Sequence, residues 1–149
     1  MSSLRFKRYL NIVSLGAILA LVICKSVLRP WARAHEVPEF VNIILGSIPN
    51  FLEPLVGLPA LTGILLMLRH DRFKALQQFS ERGIYFLAVF LGAIYVITQE
   101  LRLHNLGGNN IYDSNDLVAS VIGLVFMLVL MLCYGFIKSE TADSQSLSN

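Results

Sequence analysis

The amino-acid sequence predicts an all-α membrane protein with four transmembrane helices and a short interfacial or re-entrant helix before the second. Hydrophobic residues make up 55% of the 149-residue chain, 15% are charged, and the mean hydropathy is +0.63. Soluble domains carry about 25% charged residues. The charges lie between long apolar blocks, as in a polytopic membrane protein. These blocks show no alternation of period two, so helices are the structure that satisfies their backbone in lipid.

The first crossing is predicted at residues 10–28, after a basic segment at residues 1–9. These segments have the layout of a signal peptide, with a small-x-small site at residues 32–34. Because arginines and a proline stand beside that site, an uncleaved signal-anchor helix is favoured. Lys25 is expected to snorkel to the interface, and a polar connection is expected at residues 29–39.

The second apolar block, Phe40 to Leu68, is longer than the roughly 20 residues of one crossing and contains Pro49, Pro54 and Pro59. The prolines indicate that the block is divided. Residues 40–48 are predicted to form the short interfacial or re-entrant helix, residues 47–50 a turn, and residues 51–68 the second crossing. Pro59 is expected to kink that crossing.

The remaining crossings are predicted at residues 83–100 and 117–137, which completes one transmembrane domain over residues 10–137. A polar loop joins these two crossings. The Ser-rich tail, residues 138–149, is expected to be disordered.

Orientation follows from the basic residues. Eight lysines and arginines lie in the N-terminus, the loop before the third crossing and the tail, and four lie on the opposite side. This bias predicts that both termini are cytoplasmic. The polar groups that interrupt the apolar half then gather in the outer leaflet: Asn50, Glu53, Glu100, Asp113 and Asp116.

Asp113 and Asp116 stand at the start of the fourth crossing, where an N-cap and a first-turn acid are stabilised by the helix dipole. Capping alone would explain both. Asp116, Ser120 and Gly123 share one helical stripe, and Ala119 with Gly123 forms a small-xxx-small pair that lets a neighbouring helix approach closely. Asp116 is therefore expected to face protein and not lipid.

Glu100 ends the third crossing, where its carboxylate is either solvated or turned toward the two aspartates. Acids gathered at an interface would bind a cation, hold a proton or pair with an amine. Glu53 has the same two alternatives, exposed or inward-facing, near the outer end of the second crossing. Asn50 is predicted to be the N-cap of that crossing.

Several kinds of chemistry have no signature in the chain. We find no nucleophile elbow, phosphate-binding loop, HExxH motif or Cys/His ligand spacing, and Cys24 and Cys133 lie inside apolar blocks. No cofactor or metal is therefore predicted. The expected partners are the lipid bilayer and an envelope component or another membrane protein, and nucleic acid is not among them.

The stretch IYDSNDLVASVIG, together with the preceding acid, resembles the VanZ-like family of small bacterial integral membrane proteins. That family has an acid near a helix end, a loop, two aspartates three apart, then a small or amide residue and a glycine. Glu100, Asp113, Asp116, Ser120 and Gly123 occupy these places. The chain departs from the family pattern at Leu103, in the Asn110–Tyr112 segment and at Ser120, where glutamine, arginine and asparagine are usual.

The resemblance implies a bacterial inner-membrane location and association with the cell envelope. The family's namesake is associated with low-level resistance to the glycopeptide teicoplanin, and no chemistry is implied. A binding or accessory role is favoured over an enzymatic one. The alternative is a membrane enzyme or transporter subunit that uses the acids for proton or metal chemistry. A third reading is an assembly subunit whose acids only cap helices.

Overall fold

A computed structural model of the protein describes residues 7–71, 73–100 and 114–137, with the side chains of Asp71 and Glu100 left out of the description. Four helical spans within these ranges are long and apolar enough to cross a membrane, which confirms the predicted all-helical fold with four crossings. The elements are α1 (Arg8–Ile23), a π-helical segment (Cys24–Leu28), α2 (Arg29–Ala34), α3 (Glu39–Asp71), α4 (Lys74–Gln77), α5 (Glu81–Glu100) and α6 (Ser114–Tyr134).

The first span is longer than predicted, because α1, the π segment and α2 form one helical span, Arg8–Ala34. The expected polar connection over residues 29–39 is therefore wrong in its first half. Pro30 lies at the start of α2, where the missing N–H of a proline costs least. The amide of Arg29 meanwhile donates to the carbonyl of Cys24, five residues earlier, so the chain stays helical.

The second span is one continuous helix, so the predicted short helix at residues 40–48 and turn at residues 47–50 are wrong. Pro49 has no N–H to donate to the carbonyl of Leu45, four residues earlier. Arg29 Nε, at 3.2 Å, and Cys24 Sγ, at 3.6 Å, donate to that carbonyl instead. Because the first span replaces the missing donor, α3 passes through Pro49 without a turn.

A second proline of α3 also leaves a carbonyl that accepts from a side chain of the first span. Pro59 leaves the carbonyl of Leu55 without its usual donor, and the Ser14 hydroxyl on α1 lies 3.4 Å from that oxygen. The remaining proline, Pro54, leaves the carbonyl of Asn50 without its i+4 donor. Asn50 lies on the side of α3 that faces α5 and α6.

Helix α3 lies at the centre of the bundle and packs against α1, α5 and α6. The larger core lies among α3, α5 and α6 and is formed by Leu58, Leu66, Ile84, Ala88, Met127 and Met131, among others. A smaller cluster joins α1 to α3 through Ala17, Leu52 and Leu55. The fold therefore presents one face of α3 to the first span and another to the last two.

The end of the bundle that is predicted to be cytoplasmic is closed where α6 stops. Gly135 has a φ of +69°, a left-handed conformation that suits glycine at a helix C-terminus. Its carbonyl accepts from the Tyr9 hydroxyl at 2.8 Å. The next amide, of Phe136, donates to the Tyr85 hydroxyl oxygen at 2.9 Å, and its carbonyl accepts from the amide of Lys7 at 3.1 Å. The ends of α1, α5 and α6 are thus joined at one point.

Candidate functional site

The start of α6 is joined to α3 by a side-chain hydrogen bond. The Ser47 hydroxyl donates to Asp116 Oδ1 at 3.1 Å. Asp116 lies in the first turn of α6 and is half-buried. The expectation that this carboxylate faces protein is confirmed, and its neighbour is the part of α3 that had been predicted to be a turn.

Two turns further along α6, the two helices are in backbone contact. A Cβ atom placed on Gly123 would lie 2.4 Å from the carbonyl oxygen of Phe51 and 3.3 Å from Pro54 Cγ. Only glycine fits at this distance, which confirms the predicted close approach along the small-residue stripe. Ser120, one turn before Gly123, is consequently held in the bundle interior with 6% of its surface exposed.

A cavity of about 380 Å³ lies between α3, α5 and α6 at this level. Its polar wall is formed by Asn50, Glu53, Tyr95, Gln99 and Ser120. Three of the candidates from the sequence, Asn50, Glu53 and Ser120, are thus brought to one place. The rest of the wall is apolar or small and is formed by Pro54, Gly57, Leu58, Leu61, Leu91, Gly92, Val96 and Leu124.

Glu53 carries an ion pair at the edge of this cavity. Lys25 Nζ lies 3.3 Å from Glu53 Oε1, and the two side chains are 54% and 42% exposed. Lys25, which the sequence predicts to snorkel to the interface, has this carboxylate as a partner of its ammonium. Glu53 stands six residues inward from Ser47, roughly 9 Å along the helix. Ionisable groups within membrane spans are usually paired and often functional.

Lys25 belongs to the π-helical segment Cys24–Leu28. Short π turns within α-helices are uncommon and are frequent at functional sites. The π turn contains one residue more than an α-helical turn, so it changes the direction in which the side chains after it point. Arg29 directly follows this turn and reaches the carbonyls of Leu45 and Gly46 on α3. The same irregularity therefore accompanies both cationic contacts to α3.

Asn50 is not the N-cap of a crossing, as the sequence had predicted, because α3 begins at Glu39 and passes through it. Its place on the cavity wall coincides with the backbone gap made by Pro54. A proline removes the donor for the carbonyl four residues earlier, and here that carbonyl belongs to Asn50. Asn50 therefore lines the cavity next to a proline that removes the usual donor of the Asn50 carbonyl.

The other acidic candidates lie at the border of the described residues. Glu100 is the last residue of α5, next to Gln99 on the cavity wall, and its side chain lies outside the description. Asp113 falls in the undescribed segment 101–113, immediately before α6 begins at Ser114. Within residues 7–71, 73–100 and 114–137, no group of three or more His, Cys, Asp or Glu side chains is placed to hold a metal ion.

Ser47, Tyr95 and Gln99 were not predicted as site residues from the sequence, and Lys25 was given a different role. A signal for Ser47 was present: in an unbroken helix, Ser47, Asn50 and Pro54 fall at i, i+3 and i+7 on one face. The assumption that the prolines divide the helix concealed it. Nothing in the sequence indicates that Lys25 pairs with a residue 28 positions later.

Comparison of the chain with protein-family models, with curated proteins and with solved structures finds no match. A function for the protein is therefore inferred from the geometry of the cavity and of its ion pair.

Proposed function

We propose that this protein is a VanZ-like, cell-envelope-associated membrane protein with a binding or accessory role. Its site is the cavity between α3, α5 and α6, which takes up part of an amphipathic envelope component from the outer leaflet of the bacterial inner membrane. The observation that carries the proposal is the convergence of Asn50, Glu53 and Ser120 on one wall of a cavity whose other walls are apolar.

The composition of the cavity supports this role. Small-molecule sites are mostly apolar concavities of about 300–1,000 Å³ with a few placed polar groups. This cavity falls in that range, and the carboxylate on its wall lies in the span of an apolar helix. A ligand that matches it has a polar group for the Asn50–Glu53 wall and an apolar group for the leucines. Membrane amphiphiles have this composition.

The location and the orientation form part of the proposal. Four apolar spans support a multi-pass membrane protein, and the excess of basic residues at the termini and the loop before α5 supports cytoplasmic termini. With that orientation, the Ser47–Asp116 contact and the cavity fall in the outer half of the membrane. The family resemblance adds the bacterial envelope and a contribution to antibiotic resistance.

The alternative role is a membrane enzyme or transporter subunit, and the observation that favours it is the Lys25–Glu53 pair. Paired charges within a membrane span are also what proton-coupled transporters use. In that role Glu100→Gln and Asp116→Asn would abolish function without changing folding, and the function would depend on protons or a metal. If both variants leave the amount of protein and the phenotype unchanged, the acids serve as caps.

The cavity is tested by filling it. Gly57 lines the cavity, and a Cβ placed on it meets nothing within 4 Å, so Gly57→Leu adds volume without a clash at its first carbon. Gly16→Leu on α1 is the matched control, since its Cβ also meets nothing within 4 Å and it lies outside the cavity. Native mass spectrometry of the protein released from membranes should show a retained amphiphile in wild type and Gly16→Leu but not in Gly57→Leu. Equal retention in all three would refute the proposal.

A further inference from the structure

On the basis of that proposed function, we infer that the bound amphiphile has a zwitterionic head group. A primary ammonium on this head group pairs with Glu53, while a neighbouring anionic group pairs with the Lys25 that the ammonium displaces. The ligand thus inserts its two charges between those of the protein. Four observations lead to this assignment.

The first is that Glu53 already holds an ammonium. Lys25 Nζ lies 3.3 Å from Glu53 Oε1, and the carboxylate is 42% exposed, so the lysine does not enclose it. Glu53 also belongs to the cavity wall, whereas Lys25 approaches from the first span. The carboxylate is therefore open to a second ammonium from the cavity side. A ligand amine there would make the contact that Lys25 makes now.

The second is charge balance. Lys25 and Glu53 together carry no net charge, and Glu53 is the single charged side chain among the described residues of the cavity wall. A purely cationic ligand bound to Glu53 would leave Lys25 without a carboxylate partner. An anionic ligand bound to Lys25 would leave Glu53 without an ammonium partner. An unpaired charge within a membrane span is unfavourable. A zwitterion leaves neither charge unpaired.

The third is the kind of hydrogen bonding that the wall offers. The side chains of Asn50, Gln99 and Ser120 on the cavity wall each have an oxygen that can accept. A primary ammonium has three N–H donors for such oxygens, whereas a quaternary ammonium has none. The wall is thus suited to an ammonium that donates.

The fourth is that Lys25 has room to move. Its side chain is 54% exposed and has four rotatable carbons, and it stands on the π turn that interrupts the first span. It can leave Glu53 and follow an anionic group without movement of α3. Glu53, on the continuous helix, stays in place. The lysine is accordingly the member of the pair that changes partner.

The test uses the full chain in nanodiscs that contain equal fractions of phosphatidylethanolamine, phosphatidylcholine and phosphatidylglycerol with identical acyl chains. Native mass spectrometry then counts the lipid released with the protein. We expect phosphatidylethanolamine to exceed each of the others by about tenfold. Glu53→Gln should abolish this preference while a lipid is still retained. Glu39→Gln, at the exposed start of α3, is the matched control and should keep it.

A second variant reverses the preference. Lys25→Met removes the partner of the anionic group and leaves Glu53 unpaired, so the protein should now retain a protonated alkylamine over phosphatidylethanolamine. If Glu53→Gln does not fold, the double variant Lys25→Met/Glu53→Gln, which contains neither charge of the pair, should show the same loss of preference. Either result supports the zwitterion.

The outcomes separate this inference from the proposed function. Equal retention of the ethanolamine and choline lipids would overturn the assignment of a primary ammonium. Preference for phosphatidylglycerol, or an unchanged preference in Glu53→Gln, would overturn the zwitterion assignment. In each case the cavity remains a lipid site. Absence of any retained lipid, or retention unaffected by Gly57→Leu, would instead overturn the proposed function.

Discussion

The Ser47 hydroxyl donates a hydrogen bond to the Asp116 carboxylate across 3.1 Å, and this bond joins the α6 start to a helix that comes 69 residues earlier in the chain. A hydrogen bond to a charged group contributes about 1.5–3 kcal/mol. Ser47→Ala should therefore lower the unfolding free energy in mixed micelles by about 2 kcal/mol. Ser26→Ala, an exposed serine of the first span, is the control. Equal stability of the two variants would show that the bond contributes nothing.

Gly123 should tolerate no side chain. A methyl group at this position would lie 2.4 Å from the Phe51 carbonyl oxygen, a backbone atom that cannot rotate away. Overpacking of this kind costs about 1–3 kcal/mol or more, so Gly123→Ala should unfold at a lower denaturant concentration than wild type. Gly16→Ala, which meets nothing within 4 Å, should not. A Gly123→Ala protein as stable as the Gly16→Ala protein would contradict the observed helix separation.

Arg29 and Pro49 should be energetically coupled. Arg29→Met removes the charged donor to the Leu45 carbonyl and leaves it only the weak Cys24 thiol donor, so it should cost about 2 kcal/mol. In a Pro49→Ala background, an ordinary helix amide serves that carbonyl, and the cost should be smaller by about 1 kcal/mol. A double-mutant cycle of unfolding free energies measures the difference. Strict additivity would mean that Arg29 does not compensate for the proline.

The protein should become more stable when Thr62 is replaced by valine, its apolar isostere. It is fully buried, with 0% exposure, and its hydroxyl oxygen finds no partner within the part of the chain that the structure describes. Because an unpaired buried hydroxyl costs about 1–3 kcal/mol, Thr62→Val should raise the unfolding free energy by about 1 kcal/mol. Thr98→Val removes a hydroxyl that bonds the Tyr95 carbonyl at 2.9 Å and should not. Destabilisation by Thr62→Val would reveal a partner for that hydroxyl in the membrane.

The proposed orientation makes a prediction for the chain end. A reporter that is active only in the periplasm should be silent when fused after Asn149, because the basic residues favour cytoplasmic termini. The same reporter inserted after Gly108, in the loop between α5 and α6, should be active. Strong signal from the C-terminal fusion would show that the orientation is opposite to the proposed one and that the cavity lies in the inner leaflet.

The contact between α3 and α6 was largely predictable, because its determinants are local. Asp116, Ser120 and Gly123 lie within two turns of one helix, and helical spacing alone puts them on one stripe. The packing of a glycine against a neighbouring backbone follows from the absence of its side chain. Only the identity of the neighbouring residues, Ser47 and Phe51, needed the structure.

The continuity of α3 was not predictable from its own residues. Pro49 ends or kinks most helices, and the sequence around it gives no reason for an exception. The reason lies about 20 residues earlier, in the Arg29 and Cys24 side chains that occupy the released carbonyl. Likewise, the sequence shows Lys25 only as an interfacial lysine, and its pairing with Glu53 arises from the packing of the first span against α3. Both features depend on contacts between helices, which a local pattern does not contain.

The three prolines of α3 have a consequence for how the chain enters the membrane. On its own, this helix would expose unpaired carbonyls to lipid, each at a cost of several kcal/mol. Two of them, on Leu45 and Leu55, accept side-chain hydrogen bonds from the first span. Since that span is synthesised first, it can already be in the bilayer when the second span inserts, and it then supplies hydrogen-bond donors to these carbonyls. The order of the two spans along the chain thus sets the order of their insertion.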